Sequence, residues 1–468
     1  MEKEKSDVVE SNDVTNSAPF NHSLQDVNIG PRYPPKDRGL RAWLFLVGAS
    51  IVEITAFGFP FAYGVFREYF FTHEPFKGAT IVSTGGVLAN GVLQICVPFV
   101  VYALNNFPNH RKNAMWLGCL ICSISPISAA FTTSAEVLVV LLGPLYGIGA
   151  GLLFAPSMHF MDDWFLERKS FAYGIICGAG AASGAGLSPV YAVALEKYGY
   201  KATLVAMGLL TLIVTAAGLL LIYPRTPPEK ALKPTRKDFD FLRSPLFLIF
   251  LITTIVQSAS NYAPTVYLPS IGADFGLSNT EGALLVSLQN VAQAIGQPLQ
   301  GALADTNLSF YAPFVISTVG GSVSCLLIWP FARNLWSLVI FSLLFGALVP
   351  GFAVLRPRFA AAVIGKDRKA TPSDSSESTT EDEEKEAARQ RNKSLLIFGF
   401  LTAARGISIV VAGFVSVALV HEDSNDLSGY GLGTKWRGLI IYTGVTMAAA
   451  SFGALGKFVP FDAKIGGK

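Results

Sequence analysis

Charged residues are scarce in this chain, and that scarcity argues against a water-soluble fold. Asp, Glu, Lys and Arg make up 15% of the 468 residues, whereas soluble domains carry roughly 25%. Hydrophobic residues make up 51%, and the mean hydropathy is +0.45. A surface this poor in charge favours lipid as the solvent, and a formal net charge of +3 gives no reason to expect nucleic-acid binding.

Cysteine and histidine are also rare, which limits metal and disulfide chemistry. The chain has five of each, and every cysteine lies in an apolar run. Cys119 and Cys122 form a CxxC pair without a second pair, so we expect helix packing rather than a metal site. The sequence holds no His/Asp metal cluster, no paired nucleophile and base, and no phosphate-binding loop. We therefore expect no enzyme activity, no cofactor, no metal and no ATP-driven step.

Long apolar runs are abundant. A helix needs about 20 mostly apolar residues to cross a bilayer. The runs predict an all-α membrane protein of twelve transmembrane helices in two pseudo-symmetric six-helix halves. The predicted helices are 42–66, 79–102, 113–131, 137–159, 171–195, 202–222, 245–268, 281–304, 311–331, 335–355, 395–419 and 438–459.

Polar segments divide the chain around these helices. Most lysine and arginine residues fall on the side that holds the N-terminus, so the positive-inside rule predicts that both termini are cytosolic. We expect a multi-pass protein of the plasma membrane. The predicted segments are a disordered tail 1–41, a first half 42–222, a proline-rich linker 223–244, a second half 245–458 and a C-terminal tail 459–468.

One predicted cytosolic loop, 365–394, is unusually polar and acidic. Several serines and threonines between residues 373 and 380 precede the acidic run Glu381–Glu384. Low hydrophobicity and dense charge predict disorder. Two interpretations remain open: a tolerated insertion, or a segment phosphorylated by an acid-directed kinase.

Several motifs resemble known transporters. Gly301–Asp305 resembles a shortened Gly-x-x-x-Asp loop motif of the major facilitator superfamily. Arg38–Trp43, Phe59–Phe66, Trp164–Gly174 and Arg405–Gly406 contain residues that resemble fungal members of the monocarboxylate-transporter-like family. The resemblance runs from about residue 38 to 458, outside the acidic loop, and implies the major facilitator fold and transport of a small molecule.

Two departures from the animal members bear on substrate. Those proteins carry a Lys after the Phe-Pro of helix 1, where this chain has Phe61. They also carry an Asp/Arg pair on helix 8, where this chain has amides. Their lactate and proton chemistry therefore does not carry over residue by residue.

Two charges fall deep inside predicted helices, where a charge costs about 2.5–3.5 kcal/mol on insertion scales. Arg405 is a candidate for binding an anion, because a guanidinium can hold a carboxylate through two parallel hydrogen bonds. Its alternative role is to tie helices together through backbone carbonyls. Glu53 is a candidate proton carrier, with helix packing as the alternative.

Polar side chains on three predicted helices are candidates for lining a cavity, with plain packing as the alternative. Four amides of helix 8, Gln300 among them, share one face at spacings of three and four. Pro264 can break helix 7 beside its polar residues, as at many transporter sites. The candidate substrate-binding residues are Asn90, Gln94, Gln257, Asn261, Tyr262, Gln289, Gln293 and Gln297.

Charges next to helices 4 and 8 are candidates for a cytosolic gate, with a solvated loop as the alternative. They are Asp162, Asp163, Arg168 and Asp305. The leading functional interpretation is a secondary transporter for a small, monocarboxylate-like organic acid or related metabolite, with proton coupling left open. The alternatives are efflux of a fungal secondary metabolite and a non-transporting nutrient sensor.

Overall fold

The computed structural model describes residues 34–226, 235–306, 311–370, 380–421 and 426–458. Most of the predicted N-terminal tail, the whole predicted C-terminal tail and residues 371–379 of the predicted acidic loop lie outside this part of the chain. Within it, the regular structure is helical. The α-helices are α1 Leu40–Thr72, α2 Gly85–Asn106, α3 Arg111–Ala129, α4 Ala135–Val140, α5 Tyr146–Trp164, α6 Lys169–Leu221, α7 Pro245–Asn261, α8 Ala263–Asp274, α9 Asn279–Asp305, α10 Tyr311–Val323, α11 Leu335–Leu348, α12 Arg356–Ala370, α13 Thr380–Leu419 and α14 Gly433–Ala450.

Helix α6 contains two of the predicted helices. Its backbone leaves the helical region at Gly199, where φ is 74°. A residue with a side chain rarely adopts this conformation, so glycine permits the chain to turn without strain. The two arms on either side of Gly199 correspond to the predicted helices 171–195 and 202–222.

Two other predicted helices are interrupted. Helices α7 and α8 meet at Tyr262, close to Pro264, which has no N–H to donate to the carbonyl of Ser260. Between α11 and α12, residues Val349–Leu355 form a 3-10 segment that contains Pro350. Such segments within a helix often mark hinges or strained sequence.

The loop predicted at 365–394 is helical at both ends, which differs from the predicted disorder. Helix α12 continues to Ala370, and α13 begins at Thr380. Tertiary contacts favour the helical state of the N-terminal part of α13. Arg389 pairs with Asp238 at 2.7 Å, and Arg391 pairs with Asp163 at 2.6 Å. Composition alone does not reveal these partners.

Nine helical stretches within the described residues are long and apolar enough to span a membrane. Residues Lys169–Leu221 count as one of them, although this stretch contains the break at Gly199. Helices α3 and α9 are not among the nine. Both nevertheless expose large apolar side chains, such as Leu117 on α3 and Leu299 on α9.

Glycines bring α6 into close contact with α9, although the two helices are far apart in sequence. A Cβ added to Gly174 would lie 2.7 Å from the carbonyl oxygen of Gln297, and one added to Gly178 would lie 2.7 Å from that of Ala294. On α9, a Cβ at Gly301 would lie 2.3 Å from the carbonyl oxygen of Ser170. Larger side chains at these positions would force the two backbones apart.

Candidate functional site

A small cavity of about 40 Å³ lies among the helices and collects most of the predicted substrate-binding and proton-coupling residues. This volume holds a few water molecules. The predicted residues that line it are Glu53, Asn90, Gln94, Tyr262, Gln293, Gln297 and Arg405. They come from α1, α2, the α7–α8 break, α9 and α13, so tertiary structure brings together segments from both ends of the chain.

Arg405 faces this cavity from the middle of α13. The residue is 9% exposed, and its Nη1 has no hydrogen-bond partner among the described residues. Close packing of α13 on α2 sets its position, because a Cβ on the next residue, Gly406, would lie 2.6 Å from the carbonyl oxygen of Gly91. A buried guanidinium with a free donor is suited to bind an anion.

Glu53 lines the same cavity from α1 and is 3% exposed. A Cβ added to Gly180 of α6 would lie 3.2 Å from its Cγ, so glycine leaves room for the side chain. Glu53 has no ion-pair partner among the described residues, and a direct pair with Arg405 is not formed. The Glu53 carboxyl therefore lines the same cavity as the Arg405 guanidinium without forming an ion pair with it.

A polar chain crosses one side of the cavity. The Gln94 Nε2 donates to Asn90 Oδ1 at 2.8 Å, and Asn90 Nδ2 donates to the Tyr262 hydroxyl. The ring of Phe61 stacks on Tyr262 with 6.4 Å between centroids. Phe61 therefore gives this part of the cavity wall an aromatic surface. The Oε1 of Gln94 has no partner among the described residues and remains available as an acceptor.

Two of the four predicted helix 8 amides, which lie on α9, donate to the end of α11 and to the 3-10 segment that follows it. Gln300 Nε2 donates to the carbonyls of Ala347 at 2.8 Å and Leu348 at 2.7 Å, and Gln297 Nε2 donates to that of Pro350 at 3.2 Å. Pro350 has no N–H to donate to a preceding carbonyl, and the amides supply donors beside it.

Three predicted substrate-binding residues are buried outside the cavity lining. Gln257 donates to the carbonyl of Val349 at 3.3 Å, and Gln289 donates to Thr265 Oγ1 at 2.7 Å. Asn261 is 7% exposed at the end of α7. Helical spacing predicted that these polar side chains face the inside of the helix bundle. It did not distinguish a cavity wall from a contact between helices.

The sequence prediction missed Arg356, which lies 4% exposed in the cavity lining. Its Nε donates to the carbonyl of Ala353 at 2.9 Å, Nη1 to Thr402 Oγ1 at 2.9 Å and Nη2 to the Tyr173 hydroxyl at 2.8 Å. The predicted helix stopped at residue 355 and left Arg356 in a cytosolic loop. The apolar run 359–364, which begins three residues after Arg356, could have indicated that the chain remains buried there.

Acidic residues pair with backbone and basic groups at one end of the bundle, which we call the gate face and define by residues 162–171, Asp305 and Arg358. Asp305 accepts hydrogen bonds from the N–H groups of Ser170 at 3.2 Å and Phe171 at 2.7 Å. It also pairs with Arg358 at 2.5 Å. This cluster closes α6 against α9 and α12.

The other predicted gate residues take different positions. Asp162 pairs with Lys169 at 2.7 Å, and Asp163 pairs with Arg391 of α13 at 2.6 Å. Arg168 is exposed, and its backbone N–H donates to Asp37 Oδ1 at 3.0 Å. Asp37, which the sequence prediction did not identify, also accepts from the N–H groups of residues 166 and 167 and orders the start of α6.

Comparisons with known proteins bear on the family and the fold. Residues 45–270 match the family model described as Major Facilitator Superfamily. A crystal structure of a point mutant of the nucleoside transporter NupG has a similar fold, with a TM-score of 0.58 over 89% of this chain and 100% of that chain at 13% identity.

Curated relatives are similar at low identity. The MFS-type transporter pynF of Aspergillus niger is 26% identical over 58% of this chain and 63% of its own length. Monocarboxylate transporter 12-B of Danio rerio is 26% identical over 71% of this chain and 76% of its own length. The Agnestins efflux protein AgnL12 of Paecilomyces divaricatus is 24% identical over 72% of this chain and 77% of its own length.

The relatives and the fold are those of transporters rather than enzymes, and they confirm the family resemblance found in the sequence. A multi-pass protein of this kind lies in a lipid bilayer, and the apolar helical stretches of the described residues are long enough to span one. By these similarities the chain resembles membrane transporters of the major facilitator superfamily, with monocarboxylate-transporter-like relatives.

Proposed function

We propose that this transporter moves a small, monocarboxylate-like organic anion or related metabolite by alternating access, with Arg405 binding the anionic group. The observation that carries the proposal is the buried Arg405 guanidinium, which faces the cavity with Nη1 unpartnered within the described chain. A charge at this depth is costly unless a partner offsets it, and a carboxylate supplies both charge and acceptors. Relatives named monocarboxylate transporters support this substrate class.

The proposed architecture is twelve membrane spans in two halves of six, joined by the linker 223–244. Three features support it beyond the nine apolar stretches. Helix α6 is divided at Gly199, α3 has 19 residues and α9 has 27. Each arm of α6 and each of the other two helices is close to the length that a span needs. The lysine and arginine distribution supports cytosolic termini, and a plasma-membrane location remains part of the proposal.

We further propose that Glu53 carries a proton during transport. Its carboxyl is buried in the cavity wall, lacks an ion-pair partner among the described residues, and lies beside the cavity that holds Arg405. A bound anion changes the charge in this cavity and therefore the ease with which Glu53 binds a proton. Substrate and proton binding are thereby linked.

Efflux of a fungal secondary metabolite is a second candidate. It is favoured by the similarity to AgnL12 and to the Aspyridones efflux protein apdF of Emericella nidulans. Amide side chains in the cavity wall, such as Gln94 and Gln293, suit a polar substrate larger than lactate. Direction of transport separates the two candidates, because efflux requires net export from intact cells.

A kinase remains a proposed partner of the acidic segment. Hydroxyl residues between 373 and 380 precede Glu381–Glu384, the order that acid-directed kinases prefer. Deletion of 371–379 tests this regulation while it spares Arg389 and Arg391. We expect altered transport or trafficking, and wild-type behaviour of the deletion would contradict the proposal.

The main test is uptake by purified protein in liposomes, with a panel of labelled mono- and dicarboxylates, with and without a pH gradient. We expect uptake of at least one carboxylate by the wild type and its loss in Arg405→Ala and Arg405→Lys, because neither variant can bind a carboxylate through a planar fork. Arg437→Ala, a change near the exposed loop before α14, serves as the control. Wild-type uptake by Arg405→Ala would exclude the proposed role of Arg405, and a uniformly negative panel would favour a larger metabolite or a sensor.

A further inference from the structure

A hydrogen bond crosses between two distant segments of the chain beside the cavity. Arg356, the first residue of α12, donates from Nη2 to the hydroxyl of Tyr173 on α6 at 2.8 Å. Both residues line the cavity, and both are nearly fully buried. The guanidinium also lies over the ring of Tyr173, with 5.8 Å from Cζ to the ring centroid. This contact therefore joins a segment of the first predicted half to one of the second.

The same two segments also meet at the gate face, only a few residues away. Asp305 accepts from the N–H groups of Ser170 and Phe171, three and two residues before Tyr173. Arg358, two residues after Arg356, pairs with Asp305 at 2.5 Å. Moving inward from the gate face, the Asp305 cluster therefore forms one layer, and the Arg356–Tyr173 hydrogen bond forms a second layer at the cavity.

Arg356 directly follows a segment suited to act as a hinge. Residues Val349–Leu355 are 3-10 helical, and Gln297 of the cavity wall donates to the carbonyl of Pro350 within them at 3.2 Å. A change in this segment reorients Arg356, because no residue separates the two. The hydrogen bond from Gln297 to Pro350 therefore links the cavity wall to the segment that positions Arg356.

The partners of Arg356 are neutral. They are the carbonyl of Ala353 and the hydroxyls of Thr402 and Tyr173, and Arg356 has no ion pair among the described residues. A charge-assisted hydrogen bond to a hydroxyl is strong enough to hold two segments together, but it does not add a second buried charge that would have to be left behind when the segments separate. The Tyr173 contact is therefore suited to form and break repeatedly.

We propose that the Arg356–Tyr173 hydrogen bond is the inner gate between the cavity and the gate face. It closes the cavity in the present conformation and breaks when segments 170–173 and 356–358 separate. This inference rests on the alternating access of the proposed function, but not on the identity of the substrate. Arg356 is a positioning residue in this role, because it acts by holding Tyr173.

Cys177 provides a natural reporter of this gate, and because its thiol contacts the Tyr173 hydroxyl, Arg356→Lys, which keeps that hydroxyl, is the deciding variant. It lines the cavity from α6, one helical turn after Tyr173. Cys119, Cys122 and Cys325 are fully buried, and mass spectrometry of the Cys177 peptide separates its labelling from that of Cys96. A membrane-impermeant maleimide is applied to sealed vesicles of both orientations. Arg168→Cys, at an exposed position of the gate face, identifies the orientation in a parallel preparation.

We expect Tyr173→Phe to increase labelling of Cys177 from the gate face about tenfold, the factor expected from the loss of one hydrogen bond to a charged group. Thr402→Val is the matched control, because it removes a hydrogen bond of Arg356 that lies within the second predicted half. Its labelling should stay close to that of the wild type. Arg356→Lys should also increase labelling, since an ammonium lacks the fork that reaches both hydroxyls.

Two results would overturn the proposal: wild-type labelling of Tyr173→Phe, or equal increases in Tyr173→Phe and Thr402→Val. Arg356→Lys decides on the same criterion, whether or not Tyr173→Phe folds. The assay contains no substrate, so a negative carboxylate panel leaves its result unaffected. Conversely, wild-type labelling in these variants leaves the role of Arg405 intact.

Discussion

The three buried charges of the cavity differ in how their hydrogen-bonding capacity is used. Arg356 has three neutral partners, whereas Arg405 has a donor without a partner in the described chain and Glu53 has no ion pair there. An unpaired buried polar atom costs free energy that a ligand can recover by pairing with it. Arg405 and Glu53 are therefore the residues at which substrate and proton are expected to act, while Arg356 holds the surrounding structure.

Glu53→Gln tests the proposed proton coupling at the residue scale. The amide keeps the shape of the side chain but cannot bind and release a proton. We expect uptake in liposomes to lose its dependence on an imposed pH gradient while exchange of labelled for unlabelled substrate continues. Arg437→Ala, the control of the uptake assay, should keep the pH response of the wild type. A Glu53→Gln variant with the pH response of the wild type would exclude Glu53 as the proton carrier.

At the scale of elements, the end of α11 and the 3-10 segment Val349–Leu355 that follows it are held by side chains from α9. Gln300 alone provides donors to two carbonyls that the helix leaves free. These hydrogen bonds stabilise an irregular backbone in a region where water is scarce, so their loss leaves buried acceptors unpaired.

We expect Gln300→Ala to lower the free energy of unfolding by about 1–3 kcal/mol, because it leaves the Ala347 and Leu348 carbonyls without these donors. Thermal unfolding in detergent, followed by intrinsic tryptophan fluorescence, measures the change. Gln293→Ala should alter stability less, since Gln293 lines the cavity. Equal stability of Gln300→Ala and wild type would mean that water replaces the amide.

The N-terminal part of α13 is a second element held by tertiary contacts. Its Arg389 pairs with Asp238, which lies before α7 and outside the spans. Burial raises the pKa of Asp238, but hydrogen bonds from Arg389 and Thr235 outweigh it, so the pKa lies below the ordinary value. A carboxyl with a lowered folded-state pKa contributes stability above its unfolded pKa, about 3.9, and loses it as the pH falls through the folded value.

Asp238→Asn should therefore release the start of α13 at neutral pH. We expect faster hydrogen exchange at residues 385–394 in the variant than in the wild type, with little change in α14 as an internal reference. In the wild type, protection of the same residues should decline only below about pH 4, where the unfolded-state carboxyl begins to bind a proton. Unchanged exchange in Asp238→Asn at pH 7 would show that the ion pair does not hold this segment.

At the scale of the whole molecule, the contact between α6 and α9 joins the two predicted halves. Glycines make this approach possible, since a Cβ at Gly178 would lie 2.7 Å from the backbone oxygen of Ala294. Backbone on both sides leaves little freedom for local adjustment, so an added methyl group displaces whole helices. In the proposed alternating access, the two predicted halves move against each other across this contact.

Gly178→Ala and Gly186→Ala form a matched pair on the same helix. We expect Gly178→Ala to destabilise the protein by about 1–3 kcal/mol through overpacking and to slow transport. Gly186 has nothing within 4 Å of an added Cβ, so Gly186→Ala should stabilise by about 0.4–1 kcal/mol through the unfolded state. Thermal unfolding and uptake rates check both. A stabilising effect of Gly178→Ala would mean that α6 and α9 separate easily.

The sequence by itself determined the solvent, the helical class and the family resemblance. A chain with long apolar runs and few charges is expected to form membrane-spanning helices. Short motifs such as Gly301–Asp305 carry the family resemblance. It also identified Arg405 and Glu53, because a charge inside an apolar run is visible without coordinates. These properties are local in the chain and need no knowledge of partners.

Only the tertiary structure decided which inward polar groups face the cavity. Gln293 lines it, whereas Gln289 donates to Thr265, although both lie on the same predicted stripe. Arg356 was placed outside the predicted helix, yet the fold buries it against Tyr173 and Thr402. Helical periodicity fixes the direction of a side chain relative to its own helix, but its neighbours belong to distant segments. Their positions follow from close packing of the whole bundle, so the contacts of Arg356 with Tyr173 and Thr402 are not visible in the sequence.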